Sequence, residues 1–210
     1  MTRILPAGER AFLVDLDSEA DVLAFTEALT RNTPVGVEDF LPAARTVLVT
    51  CTPAADLTYV RKCLNDLEQT NSAATTDEHS ETDALTIAVR YDGPDLDDVA
   101  QSLGMSRSEV VAAHTEAMWR CAFIGFAPGF AYLTSNDTRL HVPRRTQSRT
   151  SVPAGSVALA AGYSAVYPRA SPGGWQIIGS TDTAMWDLNA TPPATVQPGG
   201  RVRFVNEEQR

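Results

Sequence analysis

Apolar residues recur at two different spacings along this chain, and the changes of spacing divide it into elements. Ile4–Leu5 and Phe12–Leu16 flank Pro6-Ala7-Gly8 and predict a hairpin. Val22, Phe25 and Leu29 follow at three- and four-residue steps behind Ser18, so a helix capped by Ser18 is expected to run to about Thr30. Val35–Leu41 and Thr46–Cys51 return to strand patterning. Leu57, Val60, Leu64 and Leu67 mark a second helix, expected to open at Thr52-Pro53 with proline in its first position. The order ββ-α-ββ-α over residues 1–70 predicts a small α+β sandwich, helices on one face of an antiparallel sheet, with a ferredoxin-like unit as the nearest pattern.

Residues 71–83 have no large apolar side chain and no periodicity, and are expected to form a linker in which His79 is solvated. A second domain, 84–210, opens with a strand at Leu85–Val89. Two helices follow, Asp95–Leu103 with Asp95 as cap, and Ser106–Ala117 with Ser106 and Glu109 as a capping box. Their spacing resembles a helix-turn-helix. Asp92–Glu116 nevertheless holds six acids and the single arginine Arg107, a charge balance that excludes DNA. Three turns then cut 121–179 into short β-rich runs: Ala127-Pro128-Gly129-Phe130, Val152-Pro153-Ala154-Gly155 and Ser171-Pro172-Gly173-Gly174. Met185–Leu188 and Val202–Val205 read as the last strands, with Val202 and Phe204 expected to close a barrel.

Charge changes this picture more than composition does. The chain of 210 residues carries a formal −9, with 43% apolar and 20% charged residues, ordinary proportions for a globular protein and unfavourable for nucleic acid or an anionic membrane. Within that acidic chain, Arg120 to Arg169 contains six arginines and one acid, Asp137. Either the arginines scatter into solvent on folding, or they form a patch for an anionic small molecule or an acidic partner. Lys62 is the sole lysine, which removes a P-loop, a Schiff-base lysine and a biotin attachment site from everything after it. Three cysteines without a CxxC, and three histidines far apart, predict neither a disulfide framework nor a structural metal. No run approaches the length of a membrane span, and residues 1–14 lack a signal-peptide core, so a cytoplasmic location is expected.

FIGFAPGFAYL, VPRR, VPAGSVALAAG and VYPRASPGGWQIIGST, in that order, resemble the signature of the allophanate hydrolase subunit 1 family, over most of residues 85–182. That family includes the B component of bacterial 5-oxoprolinase and the kinase inhibitor KipI. The chain has Tyr163-Ser164-Ala165 where the family usually has Gln-Thr-Gly. It has Ser148-Arg149 for Pro-Arg, and Gly179-Ser180-Thr181 for Gly-Arg-Thr. These departures bear on substrate more than on fold.

The resemblance implies a cyclophilin-like β-barrel for residues 84–210. It also implies a non-autonomous subunit of ATP-dependent 5-oxoprolinase, which opens the 5-oxoproline lactam to glutamate. An allophanate hydrolase subunit 2 chain would act with it, carboxyltransferase-like and similar to the C component of 5-oxoprolinase. A LamB-like chain would join them, with the ATP site shared between chains. The other class the resemblance allows is a KipI-like inhibitor of a sensor histidine kinase.

Lactam opening of this kind calls for cations and backbone donors around a carboxylate and a phosphoryl group. Arg144, Arg145 and Arg149 are the candidate cations. Gly125, Gly129, Gly155, Gly173 and Gly174 would let N–H groups approach an anion. Ser156, Tyr167 and Ser171 are candidate hydroxyl donors, and Trp175, Phe126 and Phe130 candidate walls, though barrel aromatics also serve as core. His114, in a His-Thr pair matching the family, is either an acid–base group or a packed helix-end histidine. Arg149 is expected to be exposed, and therefore dispensable for folding.

Overall fold

The computed structural model describes residues 2–71 and 84–209. The chain divides into two compact units, Met1–His79 and Ser80–Arg210. The linker expected over 71–83 lies, from residue 72, outside the described residues.

The first unit runs β1 (Arg3–Pro6), β2 (Ala11–Asp15), α1 (Glu19–Arg31), β3 (Val37–Pro42), β4 (Thr46–Cys51) and α2 (Leu57–Asn71). Its sheet is antiparallel in the order β1-β2-β4-β3. Alternate residues Phe12, Val14, Val47, Val49 and Cys51 point to one face and meet Val22, Phe25 and Leu29 of α1 and Val60 and Leu64 of α2 in one core. Ser18 caps α1 by accepting the Asp21 N–H at 3.2 Å. Helix α2 starts four residues beyond Pro53, because the Asp56 carboxylate accepts the N–H groups of Thr58 (2.9 Å) and Tyr59 (3.1 Å) and so marks the true N-terminus. The order ββαββα also departs from the βαββαβ of a ferredoxin-like unit, since the edge strand β1 comes first.

The second unit comprises β5 (Leu85–Val89), α3 (Leu96–Leu103), α4 (Arg107–Glu116), β6 (Trp119–Ile124), β7 (Ala131–Thr134), β8 (Arg149–Val152), β9 (Ser156–Ala160), β10 (Tyr163–Val166), β11 (Ser171–Gly173), β12 (Gln176–Ser180) and β13 (Arg201–Asn206). Seven strands form a sheet in the order β12-β9-β10-β7-β6-β13-β5, and β8 pairs with β11 beside it. Arg90 and Ser180 exchange two backbone hydrogen bonds of 2.8 Å, which bring the edges β5 and β12 together into a nearly closed barrel. Closure therefore falls at that seam; β13 lies inside the sheet, parallel to β5 and antiparallel to β6. Gly179 is required at the seam, where a Cβ would overlap the Arg90 carbonyl oxygen.

Helices α3 and α4 direct Leu96, Val99, Val110 and Ala113 into the barrel core with Ile87, Trp119, Leu133, Leu159, Ile178 and Phe204. The Ser106–Glu109 capping box forms, and Gly104 ends α3 in the left-handed conformation (φ +66°). Met185–Leu188 is not a strand. Trp186 makes a single bridge to Ala194, and among the described residues no partner strand lies alongside. All five residues of β9 are buried because both its faces are covered: Val157 and Leu159 face the main core, Ala158 and Ala160 a second apolar cluster. No helix among the described residues is long and apolar enough to cross a membrane.

Candidate functional site

The second cluster is where the candidate walls gather. Ala158, Ala160 and Ala165 keep β9 and β10 low on this face, and aromatic rings occupy the space above them. Phe130 stands at the centre, edge-to-face with Tyr167 (5.2 Å) and Trp175 (5.5 Å) and tilted against Tyr132 (5.1 Å). Phe126 also meets it edge-on at 5.3 Å, yet is 63% exposed with φ +67°, a left-handed conformation that costs a non-glycine residue energy. Gly173 is needed here, because a Cβ would fall on the Tyr167 hydroxyl.

The loop 143–149 runs beside these rings and is pinned along its length. Gln176 Nε2 donates to the Pro143 carbonyl (3.3 Å), Arg145 N–H donates to the Gly174 carbonyl (2.8 Å), and Arg149 enters β8 opposite Gly173. Arg144 projects from the pinned loop into solvent and donates no hydrogen bond to any described residue. It stays close enough to the Tyr132 and Tyr167 phenols to matter electrostatically. Burial raises both phenol pKa values, and the Arg144 charge draws them back.

Arg145 and Arg149, expected to hold an external anion, are committed to an internal one. The Asp95 side chain is 2% exposed and accepts from Arg145 Nη1 (2.5 Å), Arg149 Nη1 (2.9 Å), Arg149 Nη2 (2.7 Å) and the Ile177 N–H (2.6 Å). Burial pushes this carboxyl up, but the Arg149 fork, the Ile177 N–H and the two positive charges outweigh it and leave it below its ordinary value. Asp95 precedes α3 as expected, but makes no side-chain cap bond to it. The arginines lie 50 and 54 residues further along the chain, so no local spacing could have found the trio.

His114 is likewise turned inward. It is fully buried, stacked on Phe204 at 4.3 Å, with Nδ1 bonded to Tyr91 Oη (2.8 Å) and Nε2 to Ser164 Oγ (2.9 Å). Burial lowers its pKa to about 3, so the ring is neutral, and both its nitrogens are engaged by the chain's own hydroxyls. Ser164 supplies from β10 the hydroxyl that Nε2 meets.

The glycine turns approach the chain's own backbone rather than a guest. Gly155 (φ +78°) donates to the Tyr167 carbonyl (2.8 Å), and a Cβ there would overlap the Thr181 carbonyl oxygen. Gly129 (φ +78°) lies against Met185. Ser156 is buried on β9, and Ser171 pairs with Val152 on β11. Of the candidate site residues, Phe126, Phe130, Tyr167 and Trp175 thus come together, and Arg144 is near enough for its charge to act on Tyr167. Tyr132 and Tyr163 join them unpredicted, although FAYL and the Tyr163 position are visible in the sequence as alternating aromatics.

A family model described as carboxyltransferase domain, subdomain C and D, matches residues 2–196. The chain belongs to that family. Within it, the chain is 44% identical over 117 residues to the B component of 5-oxoprolinase from Escherichia coli O157:H7, an alignment covering 56% of this chain and 54% of that one. It is 40% identical over 118 residues to the protein of the same name from Bacillus subtilis, covering 56% and 49%. The matched part thus spans about half the length of these relatives. PH0987 from Pyrococcus horikoshii is 34% identical with a TM-score of 0.58, covering 99% of both chains. TTHA0988 is 32% identical with a TM-score of 0.78, covering 94% of this chain and 40% of that one. The urea amidolyase of Kluyveromyces lactis, 19% identical with a TM-score of 0.74, shares the fold over 99% of this chain and 15% of its own.

Proposed function

We propose that this family member is a non-autonomous subunit of an ATP-dependent amide hydrolase that opens 5-oxoproline to glutamate beside a carboxyltransferase-like companion chain. The observation that carries this reading is Arg144, an exposed guanidinium whose charge acts on the Tyr132 and Tyr167 phenols of the aromatic cluster, on a loop whose neighbouring arginines are already paired. A small ring acid offers what such a place accepts: a carboxylate for a planar, two-pronged cation, and an apolar ring for the aromatic faces. Relatives named as the B component of 5-oxoprolinase support 5-oxoproline as the substrate of this reading.

A nucleotide triphosphate needs several cations, and a lone exposed guanidinium beside the wall does not cradle it. The residues present therefore do not fit a self-contained ATP site, and we assign most nucleotide contacts to the companion chain, with a LamB-like chain as third member. In fold terms we place the second unit with cyclophilin-like barrels and the first with ferredoxin-like sandwiches whose edge strand has moved to the start.

The test is reconstitution. Glutamate formation and 5-oxoproline-dependent ATP hydrolysis should appear only when the companion chains are added, and Arg144→Ala should raise KM. Turnover by this chain alone, or a reconstituted complex indifferent to 5-oxoproline, would overturn the proposal. Inhibition of a sensor kinase by the isolated chain would favour the KipI-like role instead.

A further inference from the structure

We infer that Asp95 is a positioning residue for Arg144, an inference that rests on the reading of Arg144 as the substrate's carboxylate contact. Asp95 itself touches no guest, since its side chain is 2% exposed and its oxygens already receive four donors. Those donors come from three separate places: Arg145 in the loop, Arg149 at the start of β8, and Ile177 in β12. The Asp95 N–H also donates to the Ile177 carbonyl at 3.0 Å. One carboxylate therefore ties the chain that follows Arg144, at Arg145 and Arg149, to the strand that follows Trp175, while Gln176 of that strand holds Pro143 on the other side.

Stability alone is a poor account of such a trio. Buried ion pairs are commonly matched or surpassed by apolar residues of similar volume, because desolvation offsets most of the attraction. A two-pronged arginine–carboxylate contact supplies direction instead: it fixes angle as well as distance. Here the fixed object is the chain that follows Arg144. Arg145, its immediate neighbour, is held by its backbone N–H on Gly174 and by its side chain on Asp95. Arg144 is then presented from a held backbone while its own guanidinium stays exposed.

The experiment compares Asp95→Asn with wild type in two assays. Hydrogen exchange on the full chain reads positioning without reference to activity. Asp95→Asn should speed exchange over residues 143–149, the Arg145 N–H included, while the main barrel strands keep their protection. Steady-state kinetics of the reconstituted complex read the consequence. KM for 5-oxoproline should rise about tenfold while kcat stays within about twofold, the split expected when binding geometry alone is loosened. Asp95→Asn combined with Arg144→Ala should be no worse in KM than Arg144→Ala alone. If Asp95→Asn does not fold, Arg149→Lys serves, because it keeps the charge and loses the fork.

Unchanged exchange over 143–149 in a folded variant overturns the positioning role. So does faster exchange with an unchanged KM, provided Arg144→Ala raises KM. If Arg144→Ala itself leaves KM unchanged, the proposed substrate contact has failed, and the inference falls with it.

Discussion

Lowering the pH from 7 to 4.5 should cost the second unit about 3 kcal/mol of folding stability through His114 alone. The ring is fully buried against Phe204 and Trp119, and burial brings its pKa down from 6.5 to about 3. Hydrogen bonding is not the obstacle to protonation, because Tyr91 Oη and Ser164 Oγ could each accept a hydrogen bond from a ring N–H. What is missing is an opposing charge; desolvation is the sole cause of the shift.

The direction follows from the two pKa values. Folded chains keep the ring neutral until about pH 3, whereas unfolded chains take up a proton below about 6.5. Between those values the unfolded state binds more protons, so the stabilisation is complete above pH 6.5 and declines as pH falls. Each unit is worth about 1.4 kcal/mol, and the two units from 6.5 to 4.5 give the figure above. All three tryptophans, Trp119, Trp175 and Trp186, belong to this unit, so fluorescence-monitored denaturant unfolding reports on it selectively. His114→Gln removes the titrating group, and carboxylates common to both proteins cancel in the comparison. The wild-type stability curve should fall more steeply with decreasing pH than the variant's, by about one proton's slope. Parallel curves from pH 6.5 to 4.5 would refute the reasoning, as would an NMR titration placing the His114 pKa near 6.5.

Three further outcomes are expected. Arg149→Ala should lower stability by about 2–4 kcal/mol in denaturant titrations, since it strips the two-pronged partner from a buried carboxylate while Arg145 remains; a change within experimental error would mean that Asp95 is solvated. Gly173→Ala should destabilise by about 1–3 kcal/mol through the clash with the Tyr167 hydroxyl, and Tyr167→Phe in the same chain should recover part of the loss. Asp56→Ala should cost the first unit about 1 kcal/mol, read from its circular-dichroism melt, whereas Thr52→Ala should not, because the α2 cap sits at Asp56.

Features set by near neighbours are legible in the sequence, and those set by distant ones are not. Ser18, Ser106 with Glu109, and Gly104 each act within a few residues of themselves, and each bounds a helix where the pattern places it. Pro53 reads as a helix start by the same logic, yet loses to Asp56, a second valid cap three positions later. Met185–Leu188 has strand composition, but a strand needs a neighbour, and among the described residues none is brought alongside it. The aromatic wall is visible as residue types, whereas its assembly depends on the small alanines of β9 and β10 beneath it. Asp95 is the least legible residue of the site. Its position before α3 is that of a cap, and only the folded barrel brings it to arginines fifty or more positions away.

The Asp95 pairing alters what the arginine-rich segment can do. Six arginines against one acid suggest a broad cationic patch, yet the fold distributes them differently. Arg139 pairs with Asp137 and Glu116, Arg120 donates to the Gly199 carbonyl, and Arg145 and Arg149 share Asp95. Arg144 and Arg169 are left exposed without hydrogen bonds to described residues, and of these two it is Arg144 whose charge reaches the aromatic wall. A guest acid would therefore meet one directional cation rather than a diffuse field. A single charge-assisted contact contributes about 1.5–3 kcal/mol, roughly ten- to a hundredfold in affinity. That is enough to orient a carboxylate but too little to retain a small ring acid and activate its amide. Under the proposed reading the remaining donors would come from another surface, and the distribution of the arginines is one reason to propose a companion chain.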